Sequence, residues 1–295
     1  MAVSAKTRTR LIAILGLAAQ LGCTPASTAP TDPPRSDARA PRATSAAAIM
    51  LGAWSDLHAQ SSERWVAVGE HLVGVGFAGD FFEVMLIHPV DGGQVFTAMP
   101  MGASQVDFAI TLGDEGLRAD NPGHDDPRTI TYRRSDAGLA VSLDGEGGPR
   151  AFELSAVSPT LAPELERLDA EFAADSLARG GVAWGERFVE AGCSWPLGSA
   201  RSEGPTTIAA GIDEMRTNGR DLLWTPLVGG LAPDGERGFT AGTYEIRGHA
   251  DDRIQGTGTY VTIWQREGSG WRIVFDTGVA DPPSAAAPPQ NTVPQ

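Results

Sequence analysis

The clearest alternation of apolar and other side chains lies towards the carboxyl end of the chain. Residues 240–247, 258–266 and 270–276 each have the pattern of a β-strand. The middle strand is almost entirely β-branched or aromatic, which suits a pleated surface. A Gly-rich connection at residues 267–270 predicts a hairpin between the second and third strands. The pattern therefore predicts a long antiparallel sheet.

Both faces of the middle strand carry large side chains, with Tyr260 and Trp264 on one face and Val261 and Ile263 on the other. A sheet that is wet on one side alternates more cleanly. We therefore expect helices on one face and, on the other, a second copy of the chain in a homodimer. The alternative is that the rest of the same chain covers that face. Strict alternation in the last strand would place Asp276 on a face with Arg272 and Val274, opposite Trp271, Ile273 and Phe275.

Helical periodicity precedes this sheet. Residues 163–179 carry an apolar stripe and end at Gly180-Gly181, residues 183–190 predict a second short helix, and residues 205–215 predict a third with Pro205 in its first turn. The stripe of the first helix consists of Leu165, Leu168, Phe172 and Ala173. Helices followed by long strands predict an α+β unit over residues 161–281.

Short strands separated by Gly- and Asp-rich turns occupy residues 49–157. Such spacing predicts an antiparallel meander closed into a barrel or folded into a sandwich. The fold class expected for the whole chain is thus two domains, an all-β barrel-like meander followed by an α+β unit. The candidate strands are residues 63–68, 71–77, 81–88, 94–99, 106–112, 117–119, 129–134, 140–143 and 150–154.

Residues 161–281 resemble the SnoaL-like and ketosteroid-isomerase-like family of the nuclear transport factor 2-like superfamily. The resemblance rests on residues 168–176, 204–208, 242–244, 260–266 and 271–276. It implies an α+β cone that encloses a cavity, and it implies that the outer sheet face is a common dimer surface. Because this fold carries enzymes, binders and dimerisation modules, it implies no particular activity.

The first half carries two further resemblances. Residues 51–54 are similar to the start of small lipocalin-type barrels. Residues 121–132 resemble the signature of an uncharacterised bacterial barrel-like domain family, with Asp126 where that signature has Phe. Glu63, Trp65, Gly74, Phe82, Glu83, Ala98, Met99, Pro100 and Phe108 add to that second likeness. Both resemblances imply a fold and leave the activity open.

Residues 1–22 have the pattern of an export signal, with a basic start, a short apolar run and Gly22 before Cys23. They resemble a bacterial lipoprotein signal, although Gln20 stands where such signals have Leu. We expect lipidation of Cys23, a disordered tether over residues 23–48 and a disordered tail over residues 282–295. An ordinary secretory signal is the alternative. The expected location is the cell envelope, lipid-anchored on the periplasmic face, with Cys193 a buried thiol without a disulfide partner.

Composition narrows the class of partner. The chain of 295 residues has a formal net charge of −14 and 41% hydrophobic residues. Clustered basic residues are needed to bind phosphate backbones, so this balance argues against a nucleic-acid partner. No spacing of His, Cys, Asp or Glu predicts a metal site, and no motif predicts a cofactor.

The polar residues of the first half that could form a functional site are His124, Asp125, Tyr132 and Glu83. A His beside carboxylates suits metal or acid–base chemistry, but Asn-Pro-Gly and Asp-Pro are also ordinary turn sequences. Glu83 shares a strand face with Phe81 and Met85. It is therefore either a buried carboxylate, with His124, Arg128 or Tyr132 as partner, or a solvent-facing residue at the barrel mouth.

In the second half, residues 192–197 contain no Asp or Glu where ketosteroid-isomerase-like enzymes commonly place their base. Asp175 and Asp276 remain as polar candidates, although Asp276 could simply pair with Arg272. We expect a pocket that binds a small apolar molecule or a protein partner without chemistry. The alternative is an isomerase- or hydrolase-like enzyme, which requires a titratable group in the cavity. The expected pocket residues are Trp184, Phe188, Trp195, Trp224, Tyr244, Tyr260 and Trp264.

Overall fold

The computed structural model describes residues 48–56, 61–113 and 116–282. The predicted export signal, the lipidation of Cys23, nearly all of the tether and the tail after Pro282 lie outside these described residues. No helix within the described residues is long and apolar enough to cross a membrane.

Ten antiparallel strands form a closed barrel in the first half of the chain, because β1 pairs with both β2 and β10. The expected barrel-like meander is confirmed. The strands are β1 (Gly52–Asp56), β2 (Ser61–Val68), β3 (His71–Ala78), β4 (Phe81–Val90), β5 (Gly93–Pro100), β6 (Val106–Gly113), β7 (Gly116–Asp120), β8 (Thr129–Arg134), β9 (Gly138–Asp144) and β10 (Arg150–Ala156).

Aromatic side chains fill the barrel interior. The ring of Trp65 lies 5.7 Å from that of Tyr132 and 6.2 Å from that of Phe96, and Phe108 stands edge-on to Phe96. Gly74 makes room for this cluster, since a Cβ at that position would lie 2.6 Å from the Trp65 ring. The interior is a packed core rather than an open ligand chamber.

The second half combines three helices with a six-stranded sheet of order β12-β11-β16-β15-β14-β13. We term residues 163–280 the cone. Its elements are α1 (Pro163–Arg179), α2 (Gly181–Arg187), β11 (Phe188–Ser194), β12 (Ser202–Glu203), α3 (Pro205–Thr217), β13 (Arg220–Leu231), β14 (Arg237–Gly248), β15 (Ile254–Glu267) and β16 (Gly270–Ala280). The second helix ends earlier than expected, because Phe188 adopts an extended conformation and begins β11.

A β-bulge in β16 interrupts the strict alternation that the sequence predicts, so the expected faces of its side chains are wrong. Ile263 pairs with Phe275, but the next residue, Trp264, pairs with Ile273, so Val274 is the extra residue. Ile273 therefore packs with the helices, whereas Phe275 packs on the opposite face. The two residues do not share a face, and Asp276 moves to the helix side of the sheet.

The barrel wall covers the other face of the cone sheet. Val261, Ile263 and Phe275 are fully buried in one apolar cluster with outward-facing side chains of β2 to β5. Phe82 of the barrel contacts Phe275 with ring centroids 5.9 Å apart. The rest of the same chain therefore covers this face, and the side chains expected to form a dimer contact are buried within the chain.

Polar contacts join the two sheets as well. Thr259 Oγ1 donates to Val68 O at 3.1 Å and lies 2.9 Å from His71 Nδ1, and Arg237 donates to Gly79 O at 2.6 Å. The connecting segment is also held, since Leu231 N donates to Thr160 O at 3.1 Å. Hydrogen bonds therefore join the two halves in addition to the apolar layer.

We predict that Ile263→Asp destabilises the chain by about 3 kcal/mol or more, because it buries an unpaired charge in the shared apolar layer. Thermal unfolding followed by circular dichroism should show a single, much earlier transition. Leu227→Asp is the matched control, because Leu227 is 57% exposed on β13 of the same sheet. A variant that melted like the control and only changed sedimentation would instead support an exposed dimer face.

Candidate functional site

A cavity of about 340 Å³ lies in the cone, bordered by the helices and by the helix side of the sheet. Most of its lining is apolar, and the polar groups come mainly from β15 and β16. The lining residues are Phe172, Trp184, Pro196, Leu197, Ser199, Met215, Leu222, Trp224, Tyr244, Ile246, Tyr260, Thr262, Asp276, Thr277, Gly278 and Ala280. Its size falls at the small end of the range of about 300–1,000 Å³ typical of ligand sites.

Asp276 is the one carboxylate among these lining residues. The bulge at Val274 brings it beside Thr262, whose hydroxyl donates to Asp276 Oδ2 at 2.9 Å. Ser194 donates to the other oxygen at 3.3 Å. Burial raises the pKa of Asp276 from 3.8 to about 7, although these two hydrogen bonds oppose the rise. The carboxyl can therefore change charge near neutral pH.

A second carboxylate, Asp169 of α1, is buried behind the lining. Tyr260 donates to its Oδ2 at 2.6 Å and Trp224 donates to its Oδ1 at 2.8 Å. Burial raises the pKa of Asp169, and burial followed by the nearby Asp169 charge raises that of Tyr260 well above its usual value. The Tyr260 hydroxyl is thus engaged by Asp169.

Asp169 is not among the site residues expected from the sequence, although a signal for it is present there. The buried face of α1 consists of Leu165, Asp169, Phe172 and Ser176, which follow helical spacing. An acidic residue on that stripe needs buried donors, and they come from strands far along the chain. Leu168, which was expected in the stripe, is only partly buried.

The structure divides the expected pocket residues into two groups. Trp184, Trp224, Tyr244 and Tyr260 line the cavity. The remaining three do not line it: Phe188 and Trp264 are fully buried in the core, and Trp195 lies in the segment after β11 with Arg201 over its ring.

The two acidic candidates of the cone have different environments. Asp175 is paired with Arg179 on the outer side of α1 and does not line the cavity. Asp276 does line it, so the titratable group that the enzyme alternative requires is present. The alternative pairing of Asp276 with Arg272 is wrong, because Arg272 donates to Glu186 O and lies 3.4 Å from Glu267.

The candidates in the barrel do not meet in one place. Tyr132 is buried beside Met85 and Glu63, whereas Asp125 is exposed in the segment between β7 and β8. His124 Nδ1 lies 2.8 Å from Pro127 O, and its side chain borders a small cavity with Glu83. Glu83 itself is 1% exposed, so it is the buried carboxylate of the two alternatives.

A crevice of about 220 Å³ lies where the barrel meets the cone, bordered among others by Trp54, Arg64, Phe77 and Phe239. No group of three or more His, Cys, Asp or Glu side chains within residues 48–56, 61–113 and 116–282 is placed to hold a metal ion.

Comparisons with known proteins give fold-level likeness only. No protein-family model matches the chain. No curated protein matches it either. Among solved structures, an NTF2-like protein with a cystatin-like fold from Novosphingobium aromaticivorans is 21% identical, with a TM-score of 0.37 over 42% of this chain and 84% of its own. A ketosteroid isomerase-like protein from Erwinia carotovora is 11% identical, with a TM-score of 0.34 over 41% and 96%. At these values no conclusion about activity follows.

We predict that Asp276→Asn changes how stability depends on pH. A carboxyl whose pKa is raised from 3.8 to about 7 by folding stabilises the native state below about pH 4, and this contribution is lost as the pH rises to about 7. As the pH rises from 4 to 8, the free energy of unfolding of the variant should therefore increase by roughly 2–4 kcal/mol relative to that of the unaltered chain.

The measurement is denaturant unfolding of both proteins across this range. Because Glu63 and Glu83 also have raised pKa values, only the difference between the two proteins reports on Asp276. Asp175→Asn, at a half-buried carboxylate that pairs with Arg179 on α1 and does not line the cavity, is the control and should not show this gain. If the free energies of unfolding of Asp276→Asn and the unaltered chain changed with pH in the same way, this would contradict the raised pKa.

Proposed function

We propose that the cone cavity binds a small, largely apolar molecule that presents one hydrogen-bonding group to Asp276. The observation that carries this proposal is a cavity of about 340 Å³ with aromatic walls and a single carboxylate among its lining residues. Apolar walls with a few placed polar groups are the usual composition of small-molecule sites, where the polar groups set orientation.

Electrostatics supports a neutral or donor-bearing ligand. Among the described residues, no Lys, Arg or His borders the cavity, so this lining would not compensate an anionic group. Neutral Asp276 can donate a hydrogen bond and ionised Asp276 can accept one. A ligand with a hydroxyl or amide group satisfies the site in either charge state.

The hydrogen bonds favour binding over chemistry. An enolising enzyme needs a donor for the developing oxyanion as well as a base. Tyr260 lines the cavity, but its hydroxyl donates to Asp169 at 2.6 Å, and Asp169 is also held by Trp224. Tyr260 would have to leave a buried carboxylate in order to serve a substrate, which is costly.

We predict that a neutral fluorescent probe, N-phenyl-1-naphthylamine, binds the purified chain saturably. Leu222→Trp should weaken this binding by at least about tenfold, because Leu222 borders the cavity and the larger side chain fills it. Fluorescence titration measures the affinity, and circular dichroism checks that the variant is folded.

Leu227→Trp is the matched control, since it introduces the same side chain at an exposed position of the same strand. It should bind the probe like the unaltered chain. Equal affinity in both variants would place the probe elsewhere, for example in the crevice beside Trp54, and would contradict the proposal.

Proton-transfer catalysis is the second candidate, favoured by one observation. Asp276 lines the cavity with a pKa of about 7, which suits a general base at neutral pH. Deuterium exchange into a panel of small apolar ketones, followed by NMR in D₂O, tests this. Exchange that rises through about pH 7 and is lost in Asp276→Asn supports an isomerase-like enzyme, whereas binding without exchange supports the binder.

We also propose that the chain is anchored at the bacterial cell envelope through a lipid on Cys23, on the periplasmic face. The support is the sequence pattern of residues 1–23. We predict that globomycin causes the precursor to accumulate and that Cys23→Ala releases the protein from membranes in cell fractionation. Cys193→Ala is the control and should leave attachment unchanged. Membrane attachment that survives Cys23→Ala would show that the anchor lies elsewhere.

A further inference from the structure

Two glutamates lie inside the barrel without compensating charge. Glu63 of β2 and Glu83 of β4 are each 1% exposed, and both are register neighbours of Gly76 on the strand between them. We term Glu63, Gly76 and Glu83, which lie side by side on β2, β3 and β4, the row. Gly76 has no side chain, so there is space between the two glutamate side chains. A cavity of about 10 Å³ lies there and borders all three residues.

Hydrogen bonding leaves this row incomplete. Neither oxygen of Glu83 has a hydrogen-bond partner among the described residues, and neither does Glu63 Oε1. The other Glu63 oxygen accepts from Trp65 Nε1 at 3.0 Å. Buried polar groups are normally satisfied, so three orphaned carboxyl oxygens in one place call for a ligand or protons.

A second small cavity continues from Glu83 to the barrel rim. Its volume is about 20 Å³, which admits one group of the size of a water molecule or an ammonium ion. Ser104 borders it with an unpartnered hydroxyl, and His124 borders it with Nδ1 at 2.8 Å from Pro127 O. Because a carbonyl only accepts, Nδ1 is the donor of this contact, and in that tautomer of imidazole Nε2 is an acceptor.

The lining of both cavities is rich in acceptors and poor in donors. Within the part of the chain that the structure describes, neither lining includes a Lys or Arg side chain. Asp126, which also borders the outer cavity, is engaged by Arg150 in two hydrogen bonds of 2.7 and 2.8 Å. A chain with a formal net charge of −14 also attracts cations.

We propose that the barrel rim binds a primary ammonium group, which donates to Glu83, Ser104 and His124. An ammonium has three donors and no acceptor, matching these three acceptor side chains. Only the head group fits, because aromatic side chains fill the remaining barrel interior. The body of the ligand therefore lies outside the rim, and it is either a free amine or the side chain of a lysine.

Binding should be linked to protons. Burial, followed by the charge of Glu63, raises the pKa of Glu83 well above its usual value, so an incoming cation displaces a proton. The titratable and charged groups around Glu83 are Glu63, Tyr132, His124 and Asp126 with its partner Arg150. Affinity for an ammonium should rise with pH while the amine itself stays protonated.

The experiment is a thermal shift and calorimetric titration of the purified chain with n-butylamine at pH 6 and pH 8. We expect Tm to rise by about 2–4 °C at pH 8 with millimolar amine, and by less at pH 6. Calorimetry in two buffers of different ionisation enthalpy should show proton release. Butanol, which lacks the charge, and tetramethylammonium, which lacks the donors, should give no shift.

Variants separate a built site from general charge effects. Glu83→Gln should abolish the shift, and Val106→Phe should do the same by filling the rim cavity. Asp125→Asn removes an exposed carboxylate beside His124 that does not border the cavity, so it should retain the shift. If either cavity variant fails to fold, the other one carries the test, together with the comparison of ligands.

Two outcomes would overturn the proposal. One is an equal shift with tetramethylammonium, which would indicate charge screening. The other is an unchanged shift in a folded Glu83→Gln variant. Titration with Nα-acetyl-lysine amide distinguishes the sources: binding as tight as n-butylamine supports a lysine side chain of a partner, and clearly weaker binding supports a free amine.

Discussion

The apolar layer between the barrel wall and the cone sheet is the contact on which the rest of the structure depends. Val261, Ile263 and Phe275 are fully buried in it, and the barrel strands that meet them also contribute their other faces to the barrel interior. Strands with two buried faces need two partners. The cone sheet therefore has the helices on one side and the barrel on the other. Because the barrel closes one face completely, the cavity lies between the helices and the opposite face.

One extra residue in β16, Val274, determines which side chains face this layer and which face the cavity. Because Val274 bulges out of register, Phe275 faces the barrel, and Asp276 lies on the cavity side of the sheet beside Thr262 of the adjacent strand. Adjacent residues thus belong to two different environments, one apolar and one that raises a carboxyl pKa. Movement of one face of β16 must be accommodated by the other, since packed layers resist local displacement.

Local pattern predicted the strands well, because turn glycines and period-two alternation are local signals. The bulge could not be predicted, since Ile273, Val274 and Phe275 are all apolar and favour no particular face. Asp169 was missed for a different reason: its donors Trp224 and Tyr260 lie 55 and 91 residues away in sequence. Glu63 was missed likewise, because only the barrel register places it beside Glu83. These features depend on contacts between distant segments, which one sequence does not display.

The bulge also restricts how β16 can vary in length. Val274 is the residue outside the ladder, so deleting it alone would restore regular pairing and leave both faces as they are. If Val274 instead paired with Ile263, Phe275 would pair with Thr262 and every later side chain of β16 would change face. An aromatic ring would then enter the cavity and a carboxylate would enter the apolar layer against Phe82. An insertion or deletion at a paired position of β16 would exchange the faces in the same way, because strand phase and not only composition separates the cavity face from the face packed on the barrel.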